Sequence, residues 1–123
     1  MDEAEEKLNQ LKFIGRYSMT YTRVMGIHVT NEEEYSNYRK GMLPILQSYG
    51  GSFGYDFKVS EVLKSKTDEP INRMFTIEFP SQDVMEKFFS DPNYLVVKKA
   101  HLDISISSRT VIGVFESNYP SLV

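Results

Sequence analysis

The sequence contains no cysteine, and only two of its 123 residues are histidine. The absence of cysteine excludes disulfide bonds, thiolate metal sites, iron–sulfur clusters and a thiol nucleophile. A transition-metal site has little support, because carboxylates would have to supply most of its ligands. The glycine-rich loops that bind nucleotide phosphates are also missing. The sequence therefore predicts neither a metal nor a cofactor.

The chain has no long apolar run and no cluster of basic residues that would attract nucleic acid. No segment approaches the roughly 20 apolar residues of a membrane helix, and the net charge is −3 with both signs interspersed. Residues 1–12, MDEAEEKLNQLK, are acidic and lack the apolar centre of a secretory signal. We therefore expect a cytoplasmic protein that binds neither membranes nor nucleic acid.

What remains is the composition of an ordinary soluble domain, with 41% hydrophobic and 25% charged residues. A chain of this length forms one domain with a sizeable core. The patterns divide it into a helical appendage at residues 1–20, a folded domain at 21–116 and a tail at 117–123. Within the appendage, acidic residues at the start and Lys12 at the end indicate a helix over residues 2–12.

The central segment alternates between two hydrophobic periodicities. A period of two predicts four strands, and apolar residues at helical spacing behind capping residues predict the helices. The strands are expected at 21–29, 52–63, 74–79 and 104–115, and the helices at 31–49, 81–89 and 92–101. This β-α-β-β-α-β order is typical of an α+β, ferredoxin-like fold, in which two helices cover one face of an antiparallel sheet.

The other face of that sheet has no helix to cover it. Val24, Thr76 and Glu78 are expected on this face, and the apolar area left there exceeds what a monomer normally exposes. A second copy of the sheet is the usual cover. The pattern therefore predicts a homodimer that encloses a cavity between the two sheets.

Two polar residues on the uncovered face are candidate catalytic groups. Glu78 interrupts the apolar strand MFTIEF, and His28 stands in the same relation to the first strand. The first and third strands are expected to be parallel neighbours, which would place both residues at one end of the sheet. A carboxylate beside an imidazole can orient it as a general base. The alternative is a polar pair that only holds the strand register or the dimer.

Three stretches carry a family resemblance: VTNEEEYSNYRKGMLPILQSYGGSF, RMFTIEFPSQDVMEKFF and SDPNY. Together they resemble the small bacterial domains of domain-of-unknown-function family 1330, over about residues 23–116. The resemblance implies the fold of the dimeric α+β barrel superfamily, in which two ferredoxin-like sheets pack face to face around a cavity. Relatives in that superfamily include cofactor-free monooxygenases, lactone isomerases and haem-binding enzymes.

The resemblance also bears on candidate ligand-binding residues. Tyr94, in SDPNY, corresponds to a position near the mouth of the cavity, although it can equally anchor the short helix that follows Asp91. Tyr38 belongs to a row of three tyrosines at helical spacing, two of which are expected in the core. His101 resembles a helix histidine that some members of the superfamily use to bind haem.

These observations lead to two functional hypotheses. In the first, the protein binds a small molecule in the barrel cavity, with cofactor-independent acid/base or oxygenase-type chemistry as a further step. In the second, the cavity is packed shut and the protein is a non-catalytic structural or regulatory dimer. The openness and polarity of the cavity distinguish the two.

Overall fold

The computed structural model describes residues 2–6 and 17–120, with side chains described for 2–6 and 19–117. Residues 3–6 are helical. The rest of the helix expected over residues 2–12 lies outside the described residues. No helix in the described ranges is long and apolar enough to cross a membrane.

Beyond that N-terminal turn, the described chain forms four strands, three helices and a π-helical turn. They run in the order β1 (Tyr17–Val29), α1 (Glu32–Ser48), β2 (Ser52–Lys58), β3 (Arg73–Phe79), α2 (Gln82–Phe89), α3 (Pro92–Val97), the π-helical turn (Lys98–Leu102) and β4 (Ile106–Pro120). Neighbouring strands are antiparallel throughout, in the spatial order β2-β3-β1-β4. The predicted element order and the α+β, ferredoxin-like fold are therefore confirmed.

The two longest strands, β1 and β4, extend beyond their predicted bounds. β1 begins at Tyr17 rather than Tyr21, and β4 continues to Pro120 rather than ending at Phe115. The two strands pair from end to end, so that Tyr17 lies opposite Pro120. Backbone hydrogen bonds between segments distant in sequence stabilise this extension, and local sequence patterns do not reveal them.

Local signals predict the helix starts correctly. Asn31 caps α1, where its side chain accepts a hydrogen bond from the Glu34 amide, and Ser81 caps α2 in the same way. Asp91 caps α3, and Pro92 occupies the first position of that helix. These caps set where each helix starts and therefore which of its side chains face the sheet.

Helix α1 ends at a pair of glycines. Gly50 has a φ of 74°, the left-handed conformation that glycine adopts without the Cβ clash of other residues. The Gly51 amide donates to the Leu46 carbonyl oxygen at 3.0 Å, which closes the helix.

The hydrophobic core lies between the helices and one face of the sheet. Its buried side chains are Met25, Ile27, Val29, Tyr35, Tyr38, Met42, Leu46, Ile77, Phe79, Met85, Phe88, Tyr94 and Leu102. Tyr35 and Tyr38 belong to this set, whereas Tyr49 is half-buried, so two of the three tyrosines in the helical row are in the core, as predicted. Aromatic rings form much of the packing, with Phe88 and Tyr94 centred 4.5 Å apart.

Strand β2 does not keep the strict alternation predicted for it. Phe53 pairs with Ile77 but Asp56 pairs with Phe75, so β2 has one more residue than β3 between these pairs. Side chains beyond such a β-bulge exchange faces relative to the expected alternation. Phe53 therefore points toward the helices and Phe57 away from them, and the period of two expected over residues 52–63 is interrupted.

Candidate functional site

His28 and Glu78 do not form the predicted pair. β1 and β3 are antiparallel, and Glu78 lies opposite Thr22. His28 is six residues further along β1, which corresponds to about 20 Å at the rise of an extended strand. The prediction assumed parallel strands, but β3 returns antiparallel to β2 and so runs opposite to β1. The prediction that His28 and Glu78 pair within one chain is therefore wrong.

Each of these two residues has its own surroundings. The Nδ1 atom of His28 lies 2.7 Å from the Oγ atom of Ser107 on β4. Glu78 borders a shallow surface groove at the other end of the sheet, together with Thr20 and Ser52. Both positions correspond to the structural alternative of the sequence analysis, polar groups at the rim of a sheet.

His101 is likewise outside the main cavity. Its Nδ1 atom lies 2.8 Å from a carboxylate oxygen of Glu34, and this contact joins the π-helical turn to the first turn of α1. The imidazole connects two helical segments rather than facing the space available to a ligand.

The main cavity lies within one chain, between the sheet and the helices, and not on the uncovered face. It has a volume of about 50 Å³. Its walls include the aromatic residues Tyr35, Tyr38, Phe53, Phe75, Phe89 and Tyr94 and the basic residues Arg23, Arg39 and Arg109. Two of the three predicted ligand-binding residues, Tyr38 and Tyr94, thus meet in one cavity.

The hydroxyl groups of Tyr38 and Tyr94 form a polar centre in this cavity. Their oxygen atoms lie 2.9 Å apart. Burial raises the pKa of Tyr38 far above its usual value, helped by Tyr94. Burial also raises the pKa of Tyr94, although the hydrogen bond with Tyr38 and the positive charge of Arg109 oppose the rise. Both hydroxyls are therefore neutral at pH 7, and either can donate the hydrogen bond that joins them.

Arg39 reaches the cavity from α1 and is held on three sides. Its Nε atom donates to the Tyr35 hydroxyl at 2.8 Å, and its guanidinium carbon lies 3.8 Å from the centre of the Phe53 ring. Its Nη1 atom lies 3.4 Å from a carboxylate oxygen of Asp56. The buried Nη2 atom has no hydrogen-bond partner within the described part of the chain.

Asp56 fixes the position of Arg39. Its carboxylate also accepts hydrogen bonds from Nε and Nη2 of Arg73, at 3.0 and 2.8 Å. Partial burial acts to raise the pKa of Asp56, but the hydrogen bonds from Arg73 and the charge of Arg39 outweigh it and lower that pKa below its ordinary value. Asp56 is therefore ionised at neutral pH.

Arg23 reaches the cavity from the sheet. It shares the helix-facing side of β1 with Met25 and Ile27. Its guanidinium carbon lies 4.9 Å from the centre of the Phe89 ring. The buried Nε atom of Arg23 has no hydrogen-bond partner among residues 2–6 and 17–120. A buried donor of this kind costs free energy until an acceptor reaches it.

A larger surface groove adjoins the cavity. Its volume is about 410 Å³. It shares four lining residues with the cavity, namely Arg23, Phe89, Tyr94 and Arg109, and its other walls are Met85, Glu86, Ser90, Leu95 and Lys98. The groove and the cavity are therefore adjacent, and the side chains of Arg23 and Phe89 lie at the boundary between them.

The cavity offers hydrogen-bond donors rather than a base. None of its described lining residues is a carboxylic acid or a histidine. The raised pKa values of its buried tyrosines keep their protons in place at neutral pH. The arrangement is suited to binding an acceptor group.

None of the three arginines is predicted as a site residue from the sequence. A signal exists for Arg23, because it is a charged residue on a strand face otherwise formed by Met25 and Ile27. No comparable signal marks Arg39 or Arg109, since charged residues are usual on the outer face of a helix and on an edge strand.

Solved structures with the same fold resemble this chain at low sequence identity. A methylated protein of unknown function from Rhodopseudomonas palustris has 16% identity and a TM-score of 0.63, over 98% of this chain and 95% of that chain. A NIPSNAP-family protein of unknown function from Agrobacterium tumefaciens has 17% identity and a TM-score of 0.52, over 86% and 92%. A Dabb-family protein with a ferredoxin-like fold from Mesorhizobium loti has 14% identity and a TM-score of 0.50, over 86% and 100%. These likenesses support the fold alone.

At the level of sequence, the chain matches a protein family. No curated protein matches this chain significantly. The family model for the domain of unknown function DUF1330 matches residues 21–115, close to the range over which the sequence motifs show their resemblance. Because the match spans most of the chain, the protein belongs to the DUF1330 family.

Proposed function

We propose that the protein binds a small carboxylate in the cavity between its sheet and its helices. The observation that carries this proposal is a pair of guanidinium groups, those of Arg23 and Arg39, each with a buried nitrogen that finds no acceptor within the described residues. A carboxylate supplies the acceptor oxygens that these donors lack, and charge-assisted hydrogen bonds of this type are short and strong.

The size of the cavity fits this reading. A single water needs roughly 10–15 Å³ of such volume, so a cavity of about 50 Å³ accommodates a group of a few heavy atoms. A carboxylate has three. The aromatic rings of Phe53 and Phe75 exclude water from the walls, which strengthens any charged hydrogen bond formed inside.

Each polar residue has a separate role in this proposal. Arg23 donates from the sheet side through Nε, and Arg39 donates from the helix side through Nη2. Tyr94 donates its hydroxyl proton, and Tyr38 orients that hydroxyl. Asp56 offsets part of the charge of Arg39 and fixes its orientation, so that the site is already arranged before a ligand arrives.

The proposal favours the first functional hypothesis of the sequence analysis over a module packed shut, but in a different place. The supporting cavity lies within one chain and adjoins a surface groove. Its donors suit recognition of an anion, whereas the acid/base step expected from His28 and Glu78 loses its basis, because those residues are not neighbours.

Methionine methyl NMR tests this proposal at defined places. Met25 and Met42 line the cavity, Met85 lines the groove, and Met74 lies on the uncovered face opposite Phe57. We expect butanoate to shift the methyl signals of Met25 and Met42 in a saturable manner. Butanamide, which has the same size and no charge, should not do so at the same concentrations.

Two variants make the test specific. Arg23→Met should weaken butanoate binding by more than tenfold, because it removes a hydrogen bond to a charged group worth about 1.5–3 kcal/mol. Lys87→Gln removes one positive charge from an exposed position that lines neither the cavity nor the groove and should leave the affinity unchanged. Equal shifts with butanoate and butanamide, or an unaltered affinity in Arg23→Met, would contradict the proposal.

We also propose that the uncovered sheet face packs against a second copy of the chain. Phe57 and Phe115 are each 50% exposed, and the register places both on the face opposite to the helices. Tyr55 stacks on Phe57 with ring centres 5.8 Å apart. Val24 and Thr76 pair at the centre of the same face. Exposed aromatic side chains on one face of a sheet are typical of a protein interface.

Sedimentation distinguishes a dimer from a monomer. The chain has a mass of 14.2 kDa, and we expect a species of twice that mass at micromolar concentration. Phe57→Lys should shift the equilibrium toward the monomer, whereas Leu63→Lys, at a loop residue that is 89% exposed, should not. A wild-type protein that sediments as a monomer at this concentration would exclude the interface.

A further inference from the structure

We infer that the ligand carries a second negative group, separated from the first by an apolar spacer, which binds in the surface groove beside Arg109. The inference rests on the proposed carboxylate site and names the class of molecule that this site takes: an elongated dicarboxylate or a dianion of similar shape.

The first observation is that the cavity and the groove are adjacent. The cavity of about 50 Å³ accommodates little more than one carboxylate, whereas the adjoining groove has a volume of about 410 Å³. The two spaces share Arg23, Phe89, Tyr94 and Arg109 as walls. We therefore expect a ligand larger than a carboxylate to extend from the cavity into the groove between these residues.

The charge of the groove is the second observation. Arg23, Lys98 and Arg109 line it, against a single carboxylate, that of Glu86. Lys98 already has a partner, since its Nζ atom lies 3.0 Å from a carboxylate oxygen of Asp103. Arg109 has neither an ion pair nor a side-chain hydrogen bond with the described residues, which makes it the cation available to a second anionic group.

The walls between the two charged regions are apolar. Met85, Phe89 and Leu95 line the groove, and they suit the methylene groups of a spacer rather than further polar atoms. The guanidinium carbon of Arg23 lies 4.9 Å from the centre of the Phe89 ring, and both side chains line the cavity as well as the groove. A molecule with two charged ends and an apolar middle matches this sequence of surfaces.

A matched ligand series tests the inference. Straight-chain monocarboxylates and α,ω-dicarboxylates of equal carbon number, from four to about eight carbons, are titrated against the methionine-labelled protein. At one chain length we expect the dicarboxylate to bind about fivefold more tightly than its monocarboxylate, the gain typical of one partly exposed ion pair. The dicarboxylate should also shift the signal of Met85 in the groove.

Variants assign the second group to Arg109. In Arg109→Gln the preference for the dicarboxylate should disappear. The control variant Lys99→Gln, at an exposed position that lines neither the cavity nor the groove, should retain this preference. Equal affinities of mono- and dicarboxylates at every length in the wild-type protein would overturn the inference while leaving the carboxylate site intact. If no acid of either series bound, the proposed function itself would be overturned.

Discussion

The hydroxyl oxygens of Tyr38 and Tyr94 lie 2.9 Å apart in the buried interior, although the two residues belong to different helices and are 56 positions apart in the chain. One tyrosine comes from a long helix and the other from a helix of six residues. The hydrogen bond therefore fixes α3 against α1 at the point where the cavity is polar.

The strength of this hydrogen bond can be measured with a double-mutant cycle. Tyr38→Phe and Tyr94→Phe should each destabilise the protein by about 1–3 kcal/mol, because each leaves the other hydroxyl buried without its partner. The double variant should be less destabilised than the sum, with a coupling energy of about 0.5–1.5 kcal/mol. The measurement is the free energy of unfolding in urea for the four proteins, and a coupling energy of zero would show that the bond does not stabilise the fold.

The glycine that ends α1 gives a second prediction. Gly50→Ala should cost about 1–2 kcal/mol, because a Cβ atom is strained at a φ of 74°. Gly113→Ala is the matched control, since its φ is not positive and an added Cβ there meets no atom within 4 Å. Its effect should be near zero or slightly stabilising. Thermal and urea unfolding of both variants would contradict the prediction if the two behaved alike.

The lowered pKa of Asp56 predicts that the stability of the protein depends on pH in the acidic range. Its pKa is lowered in the folded protein relative to about 3.9 in the unfolded chain. Its contribution is therefore complete above pH 3.9 and is lost as the pH falls through the lower, folded value. Asp56→Asn should cost about 1 kcal/mol at neutral pH, the upper end for partly exposed ion pairs, and should flatten this part of the curve. Urea unfolding from pH 2.5 to about 6 provides the measurement, and parallel curves for the two proteins would contradict it.

A fourth prediction concerns Asn72, whose side chain binds the backbone of Val29 at the end of β1. Its side-chain oxygen accepts from the Val29 amide at 2.7 Å, and its amide nitrogen donates to the Val29 carbonyl oxygen at 2.9 Å. Asn72→Ala should destabilise the protein by about 1–3 kcal/mol, because two partly buried backbone groups lose their partners. Hydrogen exchange at the Val29 amide should accelerate in this variant and not in Asn93→Ala, an exposed control. Unchanged exchange would show that the Asn72 side chain is not needed to protect the Val29 amide.

The helices and their caps could be predicted from the sequence because their signals are local. Asn31, Ser81 and Asp91 each satisfy amide groups within three residues, and Gly50 acts on its own helix. Such interactions are written in adjacent residues, so a short window of sequence is enough to identify them.

The error over His28 and Glu78 has a different origin. Both were correctly expected on the uncovered face, because alternation along a strand is a local property. Their separation depends on the direction of β3 relative to β1, which the intervening β2 determines. Predicting the separation of these two residues requires the topology of the sheet, which a local residue pattern does not contain.

The arginines of the cavity could not be predicted for a third reason. The environment of Arg39 depends on Phe53 and Asp56 from β2 and on Tyr35 from its own helix. Only the assembled fold shows that part of its guanidinium group is enclosed. A charged residue on a helix carries the same local pattern whether its end meets solvent or an interior cavity.

The bulge in β2 has a consequence for how such a site can change during evolution. The extra residue at Gly54–Tyr55 is what turns Asp56 toward Arg39. If β2 kept its length but lost the bulge, strict alternation from Phe53 would place Phe57 on the helix side and turn the carboxylate of Asp56 to the other face. Arg39 would then lose its counter-charge although no residue that lines the cavity had been replaced. In this fold a one-residue change in the register of an edge strand can alter the electrostatic potential of the interior, without a substitution at the site itself.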